Sequence, residues 1–124
     1  AQGASAAGTM FPQPWIVCED FVGRMDDLLG SRTLVVLDGD LPDELRDAYL
    51  ALAARVGARV VAFVTTSARG EILRVTEKGS LLKDWFRAQG ARVAVVRPDR
   101  YTYGAGGSWT EGLGLLESLA RALA

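Results

Sequence analysis

The side chains able to do chemistry fall into a few groups. Cys18 is the single thiol. Acids gather as Asp26-Asp27 and as Asp38, Asp40 and Asp43, patterns that can hold a hard cation or work as an acid–base pair. Gly104-Ala105-Gly106-Gly107-Ser108 runs into a helical pattern, a place where exposed N–H groups and the helix dipole favour anions. Arg97, Arg100, Tyr101 and Tyr103 make a basic-aromatic hairpin able to stack a base or a ring. Histidine is absent. That excludes the Ser-His-Asp triad, the Cys-His pair and His-ligated zinc.

Each group also has a plainer account. One cysteine can form neither an intrachain disulfide nor a CxxC redox pair, and fits a reducing, cytoplasmic setting. The acids lack EF-hand spacing and suit helix capping and solvation. The glycine run has neither the Gly-Lys-Ser/Thr of a Walker loop nor the GxGxxG fingerprint, and reads as a flexible connection into a capped helix. The hairpin residues suit a sheet edge that packs or docks against another surface. The net charge of −1 conceals a net of −6 over residues 19–47 and +5 from residue 48 onward, a split that can orient docking but draws the chain to neither nucleic acid nor an anionic membrane.

The elements that must position these residues follow from apolar spacing in 124 residues, a length suited to one domain. No stretch reaches the roughly 18 apolar residues of a membrane span. Residues 1–18 carry no charge and contain FPQPW, which predicts a linker and extended arm, without a regular helix or central strand, pinned by Phe11 and Trp15. An aromatic ligand platform is the functional alternative for those two rings. Residues 19–124 then form the domain. Thr33–Leu37 reads as a buried strand, with Asp40 capping a helix that stops at Gly57, and Arg59–Thr65 as a parallel partner reached by a right-handed crossover. Ile72 and Val75 suggest a short edge strand. Ser80 caps a second helix carrying Trp85 and Phe86 and stopping at Gly90. Arg92–Arg97 and Tyr101–Tyr103 form an antiparallel hairpin. Ser108 and Glu111 make a capping box that opens the last helix. The order predicts an α/β, thioredoxin-like fold: a mixed sheet with the first and last helices on one face and the second on the other.

In active thioredoxins two cysteines lie between the first strand and its helix, where the helix N-terminus lowers the thiol pKa. Here that place reads Asp38-Gly39-Asp40-Leu41-Pro42. The frame is kept without its redox pair, and Cys18, which precedes the strand, cannot replace it.

GTMFPQPWI, RMDDLLGSRTLVVL and LLKDWFRAQGARVAVVRPDRYTYG resemble the C-terminal region of flavin-dependent aromatic-ring hydroxylases, nearest the 3-(3-hydroxyphenyl)propionate hydroxylase branch, over residues 8–124. FPQP (11–14), DDLLG (26–30) and VRPDRY (96–101) carry most of it. Relatives often have Asp-Gly where this chain has Asp99-Arg100. The resemblance implies a parent monooxygenase using FAD and NADH or NADPH, whose cofactor, catalytic and substrate residues belong to preceding domains. No catalytic, cofactor-binding or metal residue carries over to this chain. What carries over is a redox-silent appendage that supports, docks on the flavin and substrate domains, or joins a second copy. Its candidate docking surface is Phe11, Trp15, Arg97, Asp99, Arg100, Tyr101 and Tyr103. The alternative is a stand-alone module holding a small aromatic ligand between Trp85, the Tyr101/Tyr103 strand and the last helix. An upstream GxGxxG domain in the coding sequence favours the first reading, a nearby start codon the second.

Overall fold

Apolar residues recur at every second position or in short unbroken runs, and the computed structural model, which describes residues 7–123, assembles these runs into one seven-stranded sheet. The strands are β1 (Trp15–Cys18), β2 (Phe21–Arg24), β3 (Leu34–Asp38), β4 (Arg59–Phe63), β5 (Ile72–Lys78), β6 (Val93–Val96) and β7 (Thr102–Gly106). The helices are α1 (Met25–Leu29), α2 (Asp43–Val56), α3 (Leu81–Gln89) and α4 (Trp109–Leu123). The sheet order is β2-β1-β5-β4-β3-β6-β7. Strand β4 runs parallel to both β3 and β5, while β6 is antiparallel to β3 and β7, and β1 antiparallel to β5 and β2. None of the described helices is long and apolar enough to cross a membrane.

The sheet divides the core in two, because successive side chains of a strand point to opposite faces. Val35 and Leu37 of β3 meet Tyr49 and Ala53 of α2 and Leu116 of α4 on one face. Leu34 and Val36 meet Leu82 and Phe86 of α3, with Met25 and Phe11, on the other. The thioredoxin-like frame, with α2 and α4 on one side and α3 on the other, is therefore the observed one. Gly57 and Gly90 end α2 and α3 at φ 69° and 61°, the left-handed conformation that glycine adopts without cost from a Cβ.

The structure corrects several local expectations. Residues 15–18 do form an inner strand, since Ile16 and Cys18 are fully buried and β1 lies between β5 and β2. Strand β5 is accordingly seven residues long and interior, not a short edge. The expectation missed β2 and α1 altogether; four- and five-residue elements give too few periods to be read. Asp40 does not cap α2: Pro42 holds the N-cap position, and Asp40 instead pairs with Arg74. Ser80 makes no capping bond either. The Glu77 carboxylate accepts from the Leu82 and Lys83 N–H groups at 2.7 and 3.2 Å, because β5 delivers an acid directly onto the helix start.

The Gly104–Gly106 stretch is strand, not flexible loop, and its glycines serve close packing. A Cβ at Gly104 would lie 2.7 Å from the Leu115 side chain, and one at Gly106 3.1 Å from the Gly112 nitrogen. Gly112 of α4 is tighter still, at 2.3 Å from the Tyr49 hydroxyl and 2.9 Å from Val93, whereas Gly114 faces open space. We therefore expect opposite effects from one substitution. Gly114→Ala should raise stability by about 0.5–1 kcal/mol through helix propensity, and Gly112→Ala should lower it by about 1–3 kcal/mol through overpacking. Thermal melts of the two variants measure the difference; equal shifts would refute this account of the α2–α4 contact.

Candidate functional site

The thioredoxin position, Asp38 to Pro42, lies at the carboxyl end of β3. Asp40 receives a two-pronged bond from Arg74, with Nε and Nη2 at 3.1 and 2.8 Å. Among the described residues no three His, Cys, Asp or Glu side chains converge as metal ligands. Two shallow clefts flank the loop. One, of about 460 Å³, contains Asp40, Arg46, Glu71 and Arg74, and these charges already satisfy one another through the Arg46–Glu71 and Arg74–Asp40 pairs. The other, of about 320 Å³, lies among Asp38, Phe63, Thr65, Glu77, Leu82 and Phe86. Its one helix N-terminus is occupied by Glu77, so the dipole there is neutralised from within.

Cys18 sits on β1, fully buried, with its Sγ 3.7 Å from the Arg74 carbonyl. Burial raises its pKa above the ordinary 9.0, the opposite of what a nucleophilic thiolate needs. Burial also raises the phenol of Tyr49, whose hydroxyl donates to the Trp109 carbonyl.

The structure scatters some of the candidate docking residues and gathers others. Phe11 is buried, its ring edge-on to Trp85 at 4.9 Å. Trp15 is half-exposed on β1, under the guanidinium of Arg24. Arg97 and Asp99 pair across the hairpin turn at 2.6 Å. Tyr101 is 40% exposed, and Tyr103 bonds Ser118 of α4 at 2.8 Å. Trp85 and Tyr103 pack on opposite faces of the sheet, so the ligand space proposed between them does not form.

Arg100 is the residue whose role the sequence concealed. It is 9% exposed and has φ 72°, a left-handed conformation uncommon outside glycine. Its N–H closes the turn on the Arg97 carbonyl at 2.9 Å, and this turn geometry calls for glycine at that position. The guanidinium compensates. It donates to the Asp26 carboxylate and to the carbonyls of Gly30 and Arg32. The Gln13 amide, with its NH2 group toward Asp26, adds bonds of 3.1 and 3.2 Å to the same carboxylate. Backbone bonds join Phe11 N–H to the Arg100 carbonyl at 2.8 Å and Met25 N–H to that of Pro14 at 3.2 Å. FPQP, DDLLG and VRPDRY thus meet at one knot. An arginine standing where the turn wants glycine, and two adjacent acids in the five-residue helix MDDLL, are the available signals.

The geometry defines a class first: a thioredoxin-like domain whose redox position holds an aspartate-rich loop and whose lone thiol is buried. The chain belongs to the family described as the HcaD C-terminal domain, which matches residues 8–119. It is 33% identical over 107 residues to the 3-(3-hydroxy-phenyl)propionate/3-hydroxycinnamic acid hydroxylase of Comamonas testosteroni, covering 79% of this chain and 18% of that protein. It is 29% identical over 118 residues to a probable NADH-specific resorcinol 4-hydroxylase of Rhodococcus jostii (strain RHA1), covering 94% and 22%. The chain therefore spans about a fifth of the length of these relatives.

Two expectations follow. Arg100→Ala should lose the knot while keeping the strained backbone, a destabilisation of about 2–4 kcal/mol; Arg100→Gly should cost about 1 kcal/mol less, since only the backbone is relieved. Equal losses in denaturant unfolding would show that strain plays no part. Cys18 and Tyr49 both have raised pKa values when folded, so their contribution to stability is complete below the unfolded values and lost as pH rises. Stability should fall above pH 9, and Cys18→Ala should remove the earlier part of that decline. A profile flat to pH 11 would contradict it.

Proposed function

We propose that this chain is the noncatalytic C-terminal domain of a longer FAD-dependent aromatic hydroxylase, in which it supplies shape and contact surface. The family match over residues 8–119 supports the parent's identity, as do relatives whose names are those of ring hydroxylases. The observation that carries the noncatalytic part is the loop at the thioredoxin position: five residues without a thiol, with Asp40 committed to Arg74. FAD and the nicotinamide would bind to the preceding domains. The glycine run of this chain does not fit a dinucleotide, because the space beside Gly104 and Gly106 is filled by Leu115, Glu111 and Gly112. In this reading the hairpin tip faces the rest of the polypeptide. Met10 and Tyr101 lie side by side there, 64% and 40% exposed, next to Arg97.

The test compares the 124-residue chain with the longer gene product that contains it. The longer protein should be yellow and should oxidise reduced nicotinamide when given a phenol. The isolated chain should show no absorbance in the flavin region after incubation with FAD and no oxidase activity. Stoichiometric flavin on the isolated chain would refute the proposal.

A further inference from the structure

The two edges of the sheet are treated differently. Strand β7 is covered at its start by the N-terminal segment, through Gly8 N–H to the Thr102 carbonyl at 2.8 Å, Thr102 N–H to the Thr9 carbonyl at 2.7 Å and the Met10–Tyr101 bridge. Strand β2, at the other end, has β1 on one side and no described strand on the other. It contains neither Lys nor Pro, the residues that usually block such an edge.

The register fixes which backbone groups that edge offers. A two-residue turn, Glu19-Asp20, joins β1 to β2, and Cys18 faces Phe21 as the closing pair. The closing pair of such a hairpin exchanges its hydrogen bonds, so Phe21 and Gly23 turn their N–H and C=O groups toward β1. Val22 and Arg24 turn theirs outward, and Asp20, in the turn that precedes β2, sets a carboxylate at the end of the same edge. An incoming antiparallel strand must bond to Val22 and Arg24.

A second copy of β2 meets that requirement in one register above the others. With Val22 opposite Val22 on a two-fold axis, Asp20 of each copy lies across from Arg24 of the other, so opposite charges meet at both ends of the pairing. Shifting by two residues in either direction separates the charges. Asp20 is available for this: its side chain is 96% exposed, and its one ion pair is a 3.8 Å contact with Arg69. Arg24 has no acid partner among the described residues and rests on Trp15 at 5.6 Å. Val22 is 56% exposed and shares its sheet face with Trp15, Val17 and Arg24, so the pairing extends an apolar row across the axis.

We infer that this chain self-associates through β2 as an isologous antiparallel pair, joining two seven-stranded sheets edge to edge. The inference is independent of the hydroxylase reading and holds for the 124-residue chain. Sedimentation equilibrium over a concentration series tests it, with the fold followed by circular dichroism. The mass should approach twice 13.3 kDa as concentration rises. Asp20→Arg and Arg24→Asp should each remain monomeric, because like charges then face each other across the axis. Mixing these two variants should restore the dimer, since every facing pair is again opposite in sign. Val22→Lys, placed on an exposed side chain that the fold does not need, should abolish the dimer without touching either charge. A wild-type chain that stays at 13.3 kDa throughout, single-charge variants that dimerise as well as wild type, or a mixture that stays monomeric would each overturn the inference.

Discussion

A buried guanidinium must find acceptors, and in this protein the search for them organises the architecture. Arg100 sits at the tip of the β6–β7 hairpin, and its acceptors are Asp26 of α1 and the carbonyls of Gly30 and Arg32 in the loop from α1 to β3. Its own carbonyl receives the Phe11 N–H, which places the Phe11 ring against Trp85 and so seals one face of the core. Removing any acceptor would leave a charge in a poorly solvated place, a far larger penalty than that of an exposed ion pair. The left-handed backbone at Arg100 is the accepted cost of putting an arginine there.

The same economy governs the loop where a thioredoxin would hold its thiols. The Asp40–Arg74 pair ties the β3–α2 connection to β5, while both partners remain partly exposed, so the pair contributes modestly to stability and mainly fixes the loop's direction. The helix that follows starts without a side-chain cap, with Asp43 and Glu44 in its first turn to complement the dipole. At this end of the sheet Arg46 pairs with Glu71 as Arg74 does with Asp40.

The sequence disclosed most where one residue type has one structural meaning. Gly57 and Gly90 mark the helix ends, the Thr33–Leu37 run overlaps β3 with an offset of one residue, and the absence of histidine and of a second cysteine bounds the chemistry before any geometry. It disclosed least where partners lie far apart in the chain. Asp26 looked like a solvated acid because Arg100 is 74 residues away. Ile72–Lys78 looked like an edge because the strand that covers it, β1, hides behind two prolines. The glycines after Tyr103 resembled an anion loop because glycine is used both for backbone exposure and for close packing, and only the neighbouring Leu115 and Glu111 decide between them. Phe11 is the anchor that its place between Met10 and two prolines implies, its ring held in the core against Trp85.

The N-terminal segment touches both halves of the finished sheet: Gly8 and Thr9 bond to Thr102 near one edge, and Trp15–Cys18 lies between β5 and β2 near the other. During synthesis these residues emerge well before their partners on β7. The sheet is therefore closed only after the β6–β7 hairpin has emerged. A polypeptide cut short before the β6–β7 hairpin would be left with this segment unmoored and one side of its hydrophobic layer unroofed, a state that quality-control proteases recognise.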